Sequence, residues 1–439
     1  MSESDHRPHP PATVPQLLAE IADVGTDRVR GGYSRPVFTA AESDLRDWFL
    51  DHARRRGLDC EVDRNGILWA WWNPSGAPLR NTVVTGSHLD SVPGGGAFDG
   101  PLGVASALAA VDRLQHTRPK RPLGIAVFPE EEGSRFGIAC LGSRLLTGDL
   151  DPRKALRLLD GDGVSLAEAA TRHGLDPARM GRDAETLARI GLFVELHVEQ
   201  GRGLVDLDRP VAVGTSILGH GRWRLRVTGQ GNHAGTTLMD DRRDPMVAAG
   251  AIIGAVRAIA RSQPEARATV GRLVTVPGGT NVIASAVDLW LDARHPDDTV
   301  TASLVAAIGD RAAQIADGEG CTVTMTEESL SPTVDFDARL RDRLVAALPA
   351  APPLATGAGH DAGVLAREVA TGMLFVRNPT GISHSPDEHV EDVDADTGAD
   401  ALATVLADLL DVTIDHHDHP PRVNSAAAGP DLPTCERTR

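Results

Sequence analysis

Two apolar runs, Thr82–Thr85 and Leu123–Phe128, each end abruptly in ionisable side chains, and this is what most restricts the fold. A buried strand that delivers polar groups at its carboxyl end is the pattern by which open α/β sheets hold ligands. The first run enters Gly86–Gly100, a loop with His88, Asp90 and Asp99 set among Gly94, Gly95, Gly96 and Gly100. A small-residue apolar segment, Leu102–Leu114, follows and is predicted to be a packed helix. The glycines let the loop fold back so that His88 and Asp99 can meet. Imidazole plus carboxylate is a donor set suited to Zn, Mn or related divalent ions. Taken alone, the segment fits a solvated glycine-rich turn with a helix-capping Asp equally well.

Three further segments repeat the pattern. Leu123–Phe128 runs into Glu130, Glu131 and Glu132. Such a carboxylate run is costly after a buried strand unless positive charge faces it, although acids also suit a solvated first helix turn. Leu192–Val198 carries His197 and leads to Glu199 and Gln200, and Gly372–Val376 leads to Ser383-His384-Ser385. Together these runs put His88, Asp99, Glu132, His197 and His384 at strand ends or in the loops after them. Three imidazoles and two carboxylates fit two divalent ions sharing a bridging carboxylate. Glu131 is left over beside them to move a proton, and Asp90 can orient the His88 ring.

The middle of the chain has a different texture. Arg222–Thr228 and Ala286–Arg294 alternate apolar and polar residues, as half-buried antiparallel strands do. With the strand Thr269–Val276, helices near 245–260 and 299–317, and a closing strand at Thr322–Thr326, the order is β-α-β-β-α-β, a ferredoxin-like unit. The expected organisation is a catalytic part over 13–215, an inserted small domain over 216–330, a second catalytic part over 331–412, and disordered tails at 1–12 and 415–439. The fold class is α/β, a mixed, mainly parallel sheet with helices on both faces, plus the inserted α+β unit. Asn65-Gly66 predicts a hairpin between Cys60–Asp63 and Ile67–Trp72, and Thr39 with Glu42 predicts a capping box.

Composition excludes some partners. The net charge of −17 argues against nucleic acid or an anionic membrane surface, and 3% aromatic residues leave few stacking platforms. The longest apolar stretch, Ala248–Ile259, is too short to span a bilayer. Cys60, Cys140, Cys321 and Cys435 have no paired spacing, and the N-terminus lacks a signal-peptide core, so a cytoplasmic location is expected. His416, His417 and His419 are read as part of a solvated tail.

The ordered motifs Gly86-Ser-His-Leu-Asp-Ser-Val-Pro…Asp99-Gly, Glu130-Glu-Glu-Gly-Ser-Arg-Phe136, Glu195-Leu-His-Val-Glu-Gln-Gly201, His233-Ala-Gly, Asn281-Val-Ile, Gly357-Ala-Gly-His-Asp-Ala362 and Ser383-His-Ser resemble the M20-type metallopeptidase superfamily. They are most similar to its amidase/carbamoylase branch. The resemblance runs from about residue 20 to 410. It implies a zinc-exopeptidase-like catalytic domain. One metal is expected on His88, His197 and the bridging Asp99, and a second on Asp99, Glu132 and His384. It makes Glu131 the general base. It assigns His233, Asn281 and Arg294, on the small domain, to the substrate carboxylate and oxyanion, and Gln200 and His360 to the ureido group. The small domain is implied to be both lid and homodimer contact. Two divalent ions are expected, Mn2+ first, with Zn2+, Co2+ and Ni2+ also suited to N/O ligands. The Val-Ile-Ala-Ser after Asn281 and the His295-Pro296 after Arg294 depart from the family pattern.

Within the branch, Gly32-Tyr33-Ser34-Arg35 and Asp63–Trp71 look like allantoate-type bacterial chains. Hydrolysis of allantoate to ureidoglycine or ureidoglycolate, ammonia and CO2 is the expected reaction. N-carbamoyl-L-amino-acid hydrolysis stands second. An M20-type peptidase, or a non-catalytic relative that binds metal or a small anion, stands third.

Overall fold

The computed structural model describes residues 12–412; the expected tails, with His416, His417, His419 and Cys435, otherwise lie outside the described residues. Strands β1 (Asp59–Val62), β2 (Leu68–Trp72), β3 (Thr82–His88), β4 (Leu123–Phe128), β5 (Ile190–Val198) and β6 (Val211–Ile217) precede the middle segment. That segment contributes β7 (His220–Thr228), β8 (Asn232–His233), β9 (Arg267–Val276), β10 (Val282–Ile283), β11 (Ala286–Arg294) and β12 (Thr322–Ser331). After it come β13 (Val334–Asp335), β14 (Pro353–Thr356) and β15 (Ala370–Val376).

Nine strands form one sheet in the order β1-β2-β4-β3-β5-β15-β6-β13, with β14 on β6. The centre, β4-β3-β5-β15, is parallel, and the β1, β2, β6 and β13 flanks are antiparallel. Successive residues of a strand point to opposite faces, and the two cores divide accordingly. Val83 and Val194 pack beneath the helices Pro101–Leu114 and Asp392–Leu409, whereas Val84 and Phe193 join Trp69, Trp71 and Phe128 on the other face. The helix Pro101–Leu114 is sealed on nearly every side, as its run of alanines requires. Because the four central strands are parallel, His88, the Glu130–Glu132 segment, His197 and the loop toward His384 all emerge at one sheet edge.

The middle segment has a separate four-stranded antiparallel sheet, β12-β7-β11-β9, covered by the helices Pro245–Arg261 and Asp298–Gly318. Its core is its own, built on Trp223, Leu225, Val227, Val287, Leu289, Ile252 and Ile308. The chain crosses into and out of it side by side. Ile217 pairs with Val334 in the large sheet, and His220 pairs with Ser331 in the small one. Between those pairs, the Gly219 amide donates to Thr333 Oγ1 (2.9 Å), and Asp298 accepts from the Thr333 amide and hydroxyl.

One local expectation, the capping box, needs correction, and a second, the hairpin, is met. Thr39 does not cap its helix, Ala40–Arg55: its hydroxyl donates to the Pro36 carbonyl, and Glu42 accepts the Phe38 amide (3.0 Å) rather than that of Thr39. Phe38 sits at φ 56°, which turns its amide into the reach of Glu42. The hairpin at Asn65-Gly66 forms, but around the Asp63 carboxylate, which accepts the Asn65 and Ile67 amides and the Trp69 indole.

Gly86 sets the spacing of β3 against β4. Its φ is +152°, and a Cβ there would overlap the Ala126 carbonyl of the neighbouring strand. Gly86→Ala is expected to destabilise the protein by about 2–4 kcal/mol, within the upper range for core-backbone clashes. Chemical denaturation, comparing midpoints at unchanged slope, measures it; a loss below about 0.5 kcal/mol would contradict the packing described.

Candidate metal centre

Strands β3 and β5 are adjacent and parallel, so the side chains of His88 and His197 meet at their ends. The Nδ1 of His88 lies 3.0 Å from the Asp90 carbonyl, and that of His197 lies 3.0 Å from the Val198 carbonyl. A carbonyl only accepts, so both Nδ1 atoms carry a proton, and each neutral ring then presents its lone pair at Nε2. The two Nε2 atoms face each other at 3.5 Å. Asp99 Oδ1 completes the group, 3.4 Å from His88 Nε2 and 3.2 Å from His197 Nε2. Three acceptors converging in a buried space call for a cation between them.

The other oxygen of Asp99 faces a second group. Oδ2 is 3.5 Å from His384 Nε2, which is 3.3 Å from Glu132 Oε2. Each triad has donor atoms mutually within 4.8 Å, as does a third set, Glu195, His197 and His360. In that third set Glu195 is already engaged, accepting from Ser87 Oγ (3.0 Å) and the Ala362 amide (3.0 Å). The donor chemistry of the first two triads fits divalent ions.

Electrostatics point the same way. Asp90, Asp99, Glu130, Glu131, Glu195 and Asp361 are all buried around the site. Burial alone would lower the pKa of His88, but Glu131, Asp99 and Asp90 override it and hold it well above its ordinary value. Burial raises the pKa of Asp99, yet His197 and His88 draw it well below the carboxylate range. His384 is lifted to about 9, first by Glu132.

Glu131 lies 3.7 Å from His88 Nε2 and is pushed well above its ordinary pKa by burial, then by Asp361, Glu132 and Asp90. Among the described residues its one side-chain hydrogen-bond partner is a weak donor, the Cys140 thiol, 3.3 Å from Oε1. Asp90 acts differently from the expectation. Its carbonyl, not its carboxylate, holds the His88 ring; Oδ1 is 3.6 Å from Nδ1. The carboxylate accepts the amides of Glu131 (3.1 Å) and Glu132 (3.2 Å) instead. The loop turns back immediately after His88, which brings the carbonyl nearer than the side chain. Asp90 therefore locks two segments of the site to each other.

Gln200 Nε2 donates to Asp99 Oδ2 (2.8 Å) and lies 3.0 Å from Ser383 Oγ, while its buried Oε1 has no partner. His360 packs on His197 at a ring-centroid distance of 4.4 Å, and its buried Nε2 is likewise unpartnered. Burial and neighbouring His197 keep it well below the usual histidine pKa, so it is neutral. The three residues of the middle segment are not gathered here. His233 and Asn281 are exposed at the ends of the β8–β10 ribbon, where His233 Nδ1 accepts the Gly235 amide and the Asn281 carbonyl accepts that of Ala234. Arg294 is occupied by Asp292, through Nε (2.7 Å) and Nη2 (2.9 Å), and by the Gly357 carbonyl. The i, i+2 spacing puts Asp292 and Arg294 on one strand face, a signal that was available in the sequence.

Sequence reasoning missed Glu388, Ser383 and Asp361. Asp361 accepts from Ser143 Oγ deep behind the site, and Glu388 binds the backbone of the Asp99 loop. Asp361 adjoins His360, which was a usable hint. Nothing local pairs Glu388 with residues so distant along the chain.

Residues 84–408 match the model of peptidase family M20/M25/M40. An N-carbamoyl-L-amino acid amidohydrolase of Geobacillus stearothermophilus is 37% identical over 394 residues, covering 88% of this chain and 95% of the relative. An allantoate amidohydrolase of Bacillus subtilis (strain 168) is 33% identical over 393 residues, covering 86% and 93%. The crystal structure of a hydantoinase/carbamoylase family amidase from Burkholderia multivorans is similar with a TM-score of 0.80 and 31% identity, covering 90% of this chain and 97% of that one. With the motifs ordered along the same sheet edge and the match spanning most of the chain, this protein belongs to peptidase family M20/M25/M40, a metal-dependent family.

Proposed function

We propose that this chain is a two-metal hydrolase that cleaves a C–N bond of a small ureido acid. One observation carries the reading: the two oxygens of Asp99 face two separate donor triads. His88, His197 and Asp99 would hold one divalent ion, and Asp99, Glu132 and His384 the other, Mn2+ being the first expectation. When bound, such ions supply Lewis acidity and lower the pKa of a water molecule. Glu131 takes the proton of that attacking water and returns it to the leaving nitrogen. Burial raises its pKa, which makes it a stronger base toward that proton than a solvated carboxylate. Neutral His360 and Gln200 line the site with unpartnered polar atoms suited to a ureido carbonyl and amine.

The small sheet supports the reading of a lid. Exposed His233 and Asn281, with Arg294, would engage the substrate carboxylate on closure, and Arg294 would then exchange Asp292 or Gly357 for it. Exposed Met246, Val247 and Ile253 on the helix Pro245–Arg261 suit contact with a second copy. Among the described residues no helix is long and apolar enough to cross a membrane.

Between substrates, N-carbamoyl-L-amino acids come first and allantoate second. The relatives named for the former are 37%, 35% and 32% identical, and the bacterial allantoate amidohydrolases 33% and 30%, which favours the former by a narrow margin. The segments that resembled allantoate-type chains are structural. Tyr33 pairs with Gly95 and the Ser34 hydroxyl accepts the Gly94 amide, so this strap backs the Asp99 loop. Arg35 is buried against the Ile21 and Val24 carbonyls, and Trp69 stacks on Trp71 in the core, with centroids 5.1 Å apart.

Purified protein reloaded with Mn2+ is expected to release ammonia from N-carbamoyl-L-amino acids or allantoate and to leave dipeptides intact. No turnover on any ureido acid would refute the assignment. Glu131→Gln should lower kcat on the order of 10³-fold with metal content unchanged, a loss typical of a missing general base. Metal loss in that variant would make Glu131 a ligand instead. In the metal-free protein His384 holds its proton up to about pH 9. Metal uptake at the second triad must displace that proton, so affinity should rise with pH until about 9 and then level. Calorimetry in buffers of different ionisation enthalpy reads the proton release; pH-independent uptake would contradict it.

A further inference from the structure

Outside the groups assigned above, the structure buries one more carboxylate against the site, and it belongs to neither triad. Glu388 is 5% exposed and follows His384 by one tight turn, its amide donating to the Ser385 carbonyl (3.1 Å). Its Oε1 accepts the amides of both Phe98 and Asp99, each at 3.0 Å. Its Oε2 lies 3.4 Å from Ser383 Oγ, which is 3.2 Å from Asp99 Oδ2. One side chain therefore ties the loop after β3 to the loop after β15.

These two amides need an outside acceptor. They lie in the loop ahead of Gly100, the N-cap of the helix Pro101–Leu114, outside the helix ladder, and among the described residues no backbone carbonyl takes either of them. Unbonded and buried, they would each cost free energy, and the loop would move to solvate them. On the other side of the tie, His384 sits at φ +56°, a conformation disfavoured for a residue with a Cβ. It persists only where the surroundings hold it. Gly96 completes the fit: a Cβ there would overlap the Glu388 carboxylate and its Cβ.

We infer that Glu388 is a positioning residue that fixes Asp99 against His384 and so determines occupancy of the Asp99/Glu132/His384 triad. The inference rests on the two-metal reading above. Glu388 is not offered as a ligand or a proton carrier, because its Oε1 is taken by amides and Glu131 is the carboxylate left over beside His88.

The test uses full-length wild type, Glu388→Ala, Glu388→Gln, Gly96→Ala and His384→Ala, stripped by chelator and titrated with Mn2+. Free Mn2+ is followed by electron paramagnetic resonance, and bound metal is counted by mass spectrometry. Wild type should bind two Mn2+ per chain with the signature of a coupled pair. Glu388→Ala should keep the tight ion, lose the coupled signal and bind the second at least tenfold more weakly, approaching His384→Ala. Glu388→Gln retains a carbonyl oxygen for the two amides and should stay within about threefold of wild type. Gly96→Ala, which pushes on the same carboxylate, should reproduce Glu388→Ala and serves if that variant does not fold. Amide hydrogen exchange at Phe98 and Asp99 in the metal-free protein should accelerate in Glu388→Ala. Two Mn2+ bound with wild-type affinities and coupling in both Glu388→Ala and Gly96→Ala would overturn the inference. Fewer than two Mn2+ on the wild type would overturn the two-metal reading, a separate failure visible before any variant is compared.

Discussion

The structure depends on a collision it does not avoid: the Nε2 atoms of His88 and His197 and a carboxylate oxygen of Asp99 aimed at one buried point. Each acceptor is desolvated, and each repels the others unless a positive charge lies between them. Everything around the point serves to hold them there. Adjacent parallel strands bring the two rings together, backbone carbonyls fix their tautomers, and the glycine-rich loop lets Asp99 return over them. The negative net charge of the chain is thus not merely superficial. Part of it is concentrated in a buried ring of carboxylates that selects for cations and keeps Glu131 basic.

The environment of Glu131 is notable for what it omits. Its backbone is firmly held, since its carbonyl accepts the Cys140 amide (2.7 Å) and its amide donates to Asp90. Among the described residues its carboxylate accepts a hydrogen bond only from a thiol, with the His88 ring 3.7 Å away. Glu130, one residue earlier, shows the contrast, with Oε1 receiving the amides of Arg135 and Phe136. Two neighbouring residues of one type are thereby separated in role: one stabilises a turn, and the other is left with unspent affinity for a proton.

Much of this was legible in the sequence because it is local. An apolar run followed by ionisable residues needs no tertiary knowledge to be read, and the runs ending near His88, Glu132, His197 and His384 emerge together because parallel pairing forces them to. The β-α-β-β-α-β order of the middle segment was legible for the same reason. What was not legible turns on geometry between distant or closely folded groups. Asp90 lies close to His88 in sequence, yet only the path of the loop decides that its carbonyl does the holding. Thr39 and Glu42 have capping-box spacing, but the φ of Phe38 redirects both side chains. Glu388 and the Phe98 amide have no pattern in common. The segments Gly32–Arg35 and Asp63–Trp71 are distinctive in sequence and are held in strap, turn and core contacts.

The connection between the two sheets carries a mechanical consequence. Both crossings lie next to each other, β6 continuing into β7 and β12 returning into β13, with paired residues on either side and the Thr333–Asp298 clasp between. A single strand would act as a swivel, free to twist as well as bend. Two strands bonded side by side resist shear and torsion but yield to flexing across their common plane. The small sheet is therefore restricted to something near one angular coordinate, like a door on a strip hinge. On the proposed reading of the small sheet as a lid, His233 and Arg294 would travel on a shared arc and reach a ligand in one event instead of several.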